Sequence, residues 1–281
     1  MLKSKKKIPA IPAVLLSMIS VQGGASIAKK LFPFLGAYGT SSLRIGISAV
    51  ILFIINRPKI SGFTKKQWFY CMGYGICLGA MNMVFYLAIE RIPLGLGVAI
   101  EFLGPLTLAL LGSRRLLDIV WALLAFAGVM LIVPWKYDGI DPSGIIFALM
   151  AGLFWAFYII LGGKVSKIMK NGDAVATGMC FATLFILPFG ILSGDLFNLN
   201  PGLFLSGIGV AVFSSAIPYS LDLIGLNKLP AKTFSILMSL QPAFGALSGL
   251  IFLKEFLTPV QWISILCVII ASIGATTFAK K

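Results

Sequence analysis

The chain has 281 residues, 59% apolar and 11% charged, with a mean hydropathy of +1.00. Soluble domains carry about 25% charged residues, so this composition excludes a water-soluble surface. The formal charge of +14 comes without a basic stripe interleaved with exposed aromatics, which excludes a nucleic-acid surface.

Hydropathy predicts ten spans, near residues 10–28, 37–56, 68–89, 94–112, 117–135, 143–163, 174–192, 202–225, 231–252 and 258–279. At about 20 residues per span they consume the chain and leave only short loops. The basic segment from Met1 to Lys7 precedes the first span without an A-x-A cleavage signal, so that span is expected to stay as an uncleaved helix carrying Gln22. Arg44 enters the second span about one third of its length in. A guanidinium there needs an anion or carbonyls. Two readings stand: a bidentate clamp on a substrate carboxylate, or a structural pair with Glu101, Asp222 or helix-end carbonyls. The third span places Asn82 and Tyr86 at i,i+4 on one helical face.

Glu101 lies near the middle of the fourth span, where an acidic residue costs roughly 2.5–3.5 kcal/mol on insertion scales. Helical spacing puts Gly97, Glu101, Pro105 and Leu108 on one face, and Pro105 frees a backbone carbonyl beside the carboxylate. That face lines a hydrated cavity, or else Glu101 is a protonated acid hydrogen-bonded between helices. The sixth span adds Trp155 and Tyr158, the eighth Tyr219 and Asp222, the ninth Met238 and Gln241. Cys71, Cys77, Cys180 and Cys267 lie in apolar runs without paired spacing and read as small buried hydrophobes. Histidine is absent, which removes the usual metal ligand and the commonest general base. No enzyme activity, metal or cofactor is expected.

Positive loops stay in the cytoplasm. Placing the N-terminus inside puts 17 Lys and Arg in cytoplasmic segments and 5, namely Lys29, Lys30, Arg91, Lys136 and Lys254, outside. Both termini are therefore expected in the cytoplasm, with Asp118, Arg114, Arg115, Lys254 and Glu255 as interfacial flanks. Pro93 and Pro105 recur as Pro230 and Pro242, both at an offset of 137 residues. The offset maps the third and fourth spans onto the eighth and ninth, and Trp121 onto Trp262 with four residues inserted. A five-span unit inverts in the membrane, and inverted repeats are a transporter architecture with substrate bound near the midplane. Residues 1–140 and 141–281 are the expected halves. Glu101 then pairs with Met238, Asn82 with Tyr219 and Tyr86 with Leu223, so the two walls differ chemically.

Ala99-Ile-Glu-Phe-Leu-Gly-Pro-Leu106, Ser113-Arg-Arg and Asp118-x-x-Trp121 resemble the EamA-type exporters of the drug/metabolite transporter superfamily. Ile217-Pro-Tyr-Ser-Leu-Asp222, Leu229-Pro230, Thr233-Phe234, Leu237-Met-Ser239 and Leu253-Lys-Glu255 before Leu257-Thr-Pro259 are similar to its threonine/homoserine exporter branch. The resemblance implies an all-α bacterial inner-membrane protein of ten transmembrane helices in two inverted repeats, moving small amino acids outward, against protons. Gln241 departs from the acid expected before the proline of the ninth helix, and Asp222 is the shorter acid, so Glu101 becomes the main titratable candidate. The resulting expectation is a proton-coupled exporter of small neutral amino acids. Glu101, Arg44, Asn82, Tyr86, Tyr219, Met238, Asp222, Gln22, Trp155, Tyr158 and Gln241 line its site, and Glu101 takes the proton or the ammonium in turn. Its partners are substrate, protons and the lipid bilayer, with a homodimer left open. Multidrug efflux of lipophilic cations, a lipid-acting membrane enzyme and a channel are the rival readings; Arg44 would repel a cationic cargo, no catalytic dyad is visible, and no charged ring appears.

Overall fold

The computed structural model describes residues 9–111, 116–132, 141–219, 221–222 and 237–278. Among these residues every regular element is a helix, and five helices are long and apolar enough to cross a membrane. Arg114, Arg115 and Leu223, together with the Leu229-Pro230 and Thr233-Phe234 motifs, lie outside the described residues.

The first helix, α1 (Ala10–Asn56), covers the first two predicted spans in one run and is broken at Gly36, whose φ of 56° and ψ of 177° no helix contains. Glycine is suited to this positive φ because it carries no Cβ. A single residue in this conformation redirects the chain between two helical arms, which correspond to the first two predicted spans. α2 (Lys65–Arg91) begins at a capping box in which the Thr64 hydroxyl accepts from the Gln67 N–H. The fourth span forms α3 (Leu94–Glu101) and α4 (Leu103–Leu111), interrupted at Phe102. Pro105 has no N–H to return to the Glu101 carbonyl, so the interruption falls where the ladder loses a bond.

α5 (Leu116–Ile132) and α6 (Pro142–Val165) follow, the latter capped by Asp141, which accepts from the Ser143 N–H at 2.8 Å. That hydrogen bonding, with Arg91 nearby, holds the Asp141 carboxyl below its ordinary range. α7 (Asn171–Leu192) leads to α8 (Pro201–Ala211), which runs into a π-helical turn over Val212–Ala216. α9 (Gln241–Ser248) ends in a second π-helical turn, Gly249–Leu253, and α10 (Pro259–Phe278) closes the described chain. α2 packs on α6 and α7, α1 on α7 and α8, α3 on α9 and α5 on α10.

At one end of the bundle, salt bridges tie the helix ends together. Lys29 Nζ lies 2.6 Å from Glu255 Oε1 and donates to the Ile92 carbonyl at 2.8 Å. Glu255 Oε2 in turn accepts from the Leu94 N–H at 2.8 Å. Both sides of the Ile92-Pro93-Leu94 turn are thereby fastened to α1 and to the residues after α9. Beyond the break at Gly36, the N–H groups of Ala37 and Gly39 donate to Glu90 and Asp195, carboxylates placed where a helix start is electropositive. Arg91 pairs with Glu90 at 3.0 Å and with Asp141 at 3.6 Å.

Small residues bring α4 and α6 into backbone contact. A Cβ on Gly104 would collide with the Gly152 carbonyl, and one on Gly152 would lie 2.5 Å from the Glu101 carbonyl oxygen. In lipid such close approach replaces the hydrophobic driving force available in water. Gly104→Val is expected to lower unfolding stability in detergent by about 1–3 kcal/mol. Gly209→Val, where nothing lies within 4 Å, should stay within about 0.5 kcal/mol of the parent in the same melt.

Candidate functional site

Helices α1, α2, α3, α4, α6 and α7, with Ser214, Pro218, Tyr219 and Asp222 beyond α8 and Met238 and Gln241, enclose a cavity of about 850 Å³. Gln22, Arg44, Asn82, Glu101, Trp155, Tyr158, Tyr219, Asp222, Met238 and Gln241 all line it, which brings together ten of the eleven residues singled out from the sequence. Tyr86 is the exception: it is fully buried behind Arg44, outside the cavity wall. The i,i+4 spacing with Asn82 put it on the correct face but did not disclose that Arg44 stands in front of it.

Arg44 is only 4% exposed. Its Nε donates to Ser215 Oγ at 3.0 Å, Nη1 to the Tyr86 hydroxyl at 3.1 Å and Nη2 to the Ser214 carbonyl at 2.8 Å. The guanidinium also lies 5.3 Å from the Tyr86 ring centroid, within cation–π range. Of the two readings for Arg44, the structure holds the carbonyl version of the second, since no carboxylate pairs with it among the described residues. Three of its five N–H groups are occupied, and the remaining two have no partner among the described residues.

The carbonyl that holds Arg44 is available because of Pro218. A helical N–H at that position would bond the carbonyl of Ser214 in an α-turn or of Phe213 in a π-turn, and proline supplies none. Ser214 O takes Arg44 instead, and Phe213 O accepts from Ser20 Oγ at 2.6 Å. Ser17 Oγ donates to the Pro218 carbonyl at 3.3 Å. Ser17, Ser20, Ser214 and Ser215 escaped the sequence reading, because serine is common in membrane spans. The signal that could have found them was the Ser-Ser pair three residues before an in-span proline.

Glu101 is 8% exposed and lines the cavity without a hydrogen-bond or ion-pair partner among the described residues. It is therefore not held between helices by a hydrogen bond. Asn82 Nδ2 donates to the Leu78 carbonyl at 2.8 Å, and the residue also reaches the Tyr219 hydroxyl. Gln22 Nε2 donates to Gln241 Oε1 at 3.0 Å, and Gln241 Nε2 to Met238 Sδ at 3.4 Å, so the glutamine that replaces an expected acid joins α1 to α9. An aromatic wall completes the site. Tyr74, not anticipated, stacks on Tyr158 at 4.9 Å with their hydroxyls 3.2 Å apart, and Phe102 meets Trp155 edge-on at 5.8 Å. From there the cavity reaches Gly162, Gly163, Ser166 and Asn171, at the end of the bundle opposite the Lys29–Glu255 pair. No group of metal-ligating residues gathers among the described residues.

Residues 142–277 match the EamA-like transporter family. The chain is 42% identical to the threonine/homoserine exporter RhtA of Escherichia coli K12, over 99% of this chain and 96% of that one. It is 41% identical to RhtA of Salmonella typhimurium LT2 over the same shares, and 26% identical to the uncharacterized transporter YwfM of Bacillus subtilis over 87% of this chain and 85% of the relative. A solved crystal structure shares the fold at a TM-score of 0.63 and 16% identity, covering 95% of this chain and 97% of its own.

Because the Tyr86 hydroxyl serves Arg44, Tyr86→Phe removes one hydrogen bond to a buried charge. The expected loss is about 1.5–3 kcal/mol in unfolding stability. Tyr38→Phe, whose ring stacks on Phe189 and whose hydroxyl has no partner among the described residues, is the control in the same melt.

Proposed function

The chain belongs to the EamA-like transporter family, and from that premise we propose that it exports small neutral amino acids of the threonine and homoserine kind across the bacterial inner membrane by alternating access. The observation that carries the reading is a single cavity lined by a guanidinium with uncommitted N–H groups and by an unpaired carboxylate. A zwitterion is the cargo complementary to both. Its carboxylate meets Arg44, its ammonium meets Glu101, and Asn82, Tyr219, Met238 and Gln241 bound the space between.

Ten spans in two inverted halves, 1–140 and 141–281, are supported by the packing. Under the 137-residue offset the second arm of α1 corresponds to α7, α3 and α4 to the ninth span, and α5 to α10; α1 packs on α7, α3 on α9 and α5 on α10. The contact of α2 with α6 has its counterpart in that of α8 with the first arm of α1. Asn82 and Tyr219, one offset apart, meet each other, as residues near a pseudo-twofold axis must. The break at Phe102 corresponds to the turn at Ser239 and Leu240, each just before a proline.

The distribution of Lys and Arg argues for cytoplasmic termini, which puts the turn after α6 in the cytoplasm and the Lys29–Glu255 pair outside. A cavity reaching Ser166 and Asn171 then loads from the cell interior, as export requires. The cavity is built by one chain, so a homodimer is not required for transport. The aromatic wall and the volume of about 850 Å³ also suit larger organic cations, the second reading. Arg44 weighs against it, because a fixed positive charge in the cavity repels such cargo.

Proton coupling is assigned to Glu101, where a proton and the substrate ammonium exclude one another. One pH unit is worth about 1.4 kcal/mol, so a coupled carrier concentrates substrate roughly tenfold per unit for each proton exchanged electroneutrally. In vesicles with an imposed gradient, Glu101→Gln is expected to equilibrate threonine without accumulating it. Accumulation to the parent ratio would move the proton to another group, Asp222 first. Arg44→Lys keeps the charge but loses the planar fork, and should raise the apparent KM for threonine about tenfold. Parent-like transport by Arg44→Lys, with a carboxylate-free amine competing as well as threonine, would favour cation efflux instead.

A further inference from the structure

We propose that a basic recess between the turn before α2 and the turn before α7 binds the headgroup of an anionic phospholipid. The recess has a volume of about 530 Å³ and shares no lining residue with the cargo cavity. Lys59 and Phe63, which flank the short helical turn Ile60–Gly62, line it from one side; Lys167, Lys170 and Asp173 line it from the other. Three lysines are thus set against one aspartate. All three are exposed, and none is in an ion pair among the described residues. Positive residues at this end also set orientation, but orientation depends on their number, whereas a recess shared by two turns depends on their arrangement.

Neighbouring side chains place the recess at the depth of lipid headgroups. Trp68, 37% exposed, meets Phe63 edge-on at 5.5 Å and Phe181 at 5.9 Å. Tryptophan concentrates where the apolar and polar layers of a bilayer meet. On the bundle side, Ile54 and Ile55 near the end of α1 and Phe69 near the start of α2 expose apolar surface. A phospholipid uses both regions, its phosphate beside the lysines and its acyl chains along that surface. A free phosphate leaves the apolar flank unused. Basic pockets between membrane helices take anionic headgroups on these grounds.

The turn between α6 and α7 has two faces. Ser166 and Asn171 line the cargo cavity, while Lys167 and Lys170 line the recess. Gln67 already joins the two turns, since its Oε1 accepts from the Thr64 N–H and its Nε2 donates to the Ile168 carbonyl at 2.6 Å. A headgroup between Lys59 and Lys170 adds a charged bridge across the same joint. The lipid thereby holds one wall of the cavity mouth without touching the cargo.

Native mass spectrometry of the full-length chain in detergent, titrated with phosphatidylglycerol or phosphatidylcholine, tests the site. The parent is expected to hold phosphatidylglycerol about tenfold more tightly than phosphatidylcholine. Lys59→Gln combined with Lys170→Gln should weaken phosphatidylglycerol binding about thirtyfold. Lys65→Gln combined with Lys66→Gln removes the same charge from the same end outside the recess, and should change binding by less than about threefold because exposed charges at a distance are screened. Lys59→Arg with Lys170→Arg keeps the charge and should bind like the parent. All four lysines are exposed, so every variant should melt with the parent, and a lost lipid is then a lost site rather than a lost fold. Equal weakening by the two glutamine pairs would show attraction to diffuse charge and overturn the site, as would a parent that holds both lipids alike. Inorganic phosphate that displaces phosphatidylglycerol as readily as added phosphatidylglycerol does would give the recess to a free anion and overturn the lipid assignment.

Discussion

A guanidinium inside a membrane bundle cannot shed its charge, so every element near Arg44 is arranged to meet its N–H groups. Ser215, Tyr86 and the Ser214 carbonyl do so from α2 and the π-helical turn after α8. The carbonyl is available only because Pro218 withholds an N–H, and the wider π-helical turn before it presents two freed carbonyls to neighbouring helices. Arg44 takes one and Ser20 the other. Removing a partner would strand a buried charge, whereas the proline, weakening its own helix, strengthens the contact between helices. The second arm of α1 and the π-helical turn after α8 are thereby joined through Arg44, which lines the cavity.

The same device recurs with different chemistry. Pro105 interrupts the ladder beside Glu101 and Pro242 does so beside Met238 and Ser239, but one break carries a carboxylate and the other a thioether. Gln241 bonds both Met238 and Gln22, so the position where an acid was expected has become a neutral link between α9 and α1. Two similar backbones thus confront each other across the cavity with unlike side chains. Only one of them titrates.

The spans, the cavity-lining residues and the paired prolines were legible because each rests on a composition that membrane burial penalises: a charge, an amide or a missing N–H in an apolar run. Gly36 was not legible, since a glycine in a run of small residues has no signature until its φ is positive. The orientation of Tyr86 was hidden for a related reason. In a helix apolar on every face, periodicity shows which residues share a side but not which of them stands in front. Ser214 and Ser215 were hidden because serine satisfies itself along a helix without any partner from elsewhere. Only a structure reveals that one of them does not.

The two ends of the bundle differ in a way that bears on alternation. Lys29 and Glu255 hold the Ile92-Pro93-Leu94 turn through three charge-assisted contacts, linking α1, α3 and the residues after α9. The other end is fastened by Gln67 donating to the Ile168 carbonyl at 2.6 Å and by the Tyr74–Tyr158 contact. Separating a partly buried ion pair forfeits its charge-assisted hydrogen bonds, and hydration of the freed charges returns part of that loss. The two ends are thus fastened by different chemistry, charged contacts at one and neutral hydrogen bonds at the other.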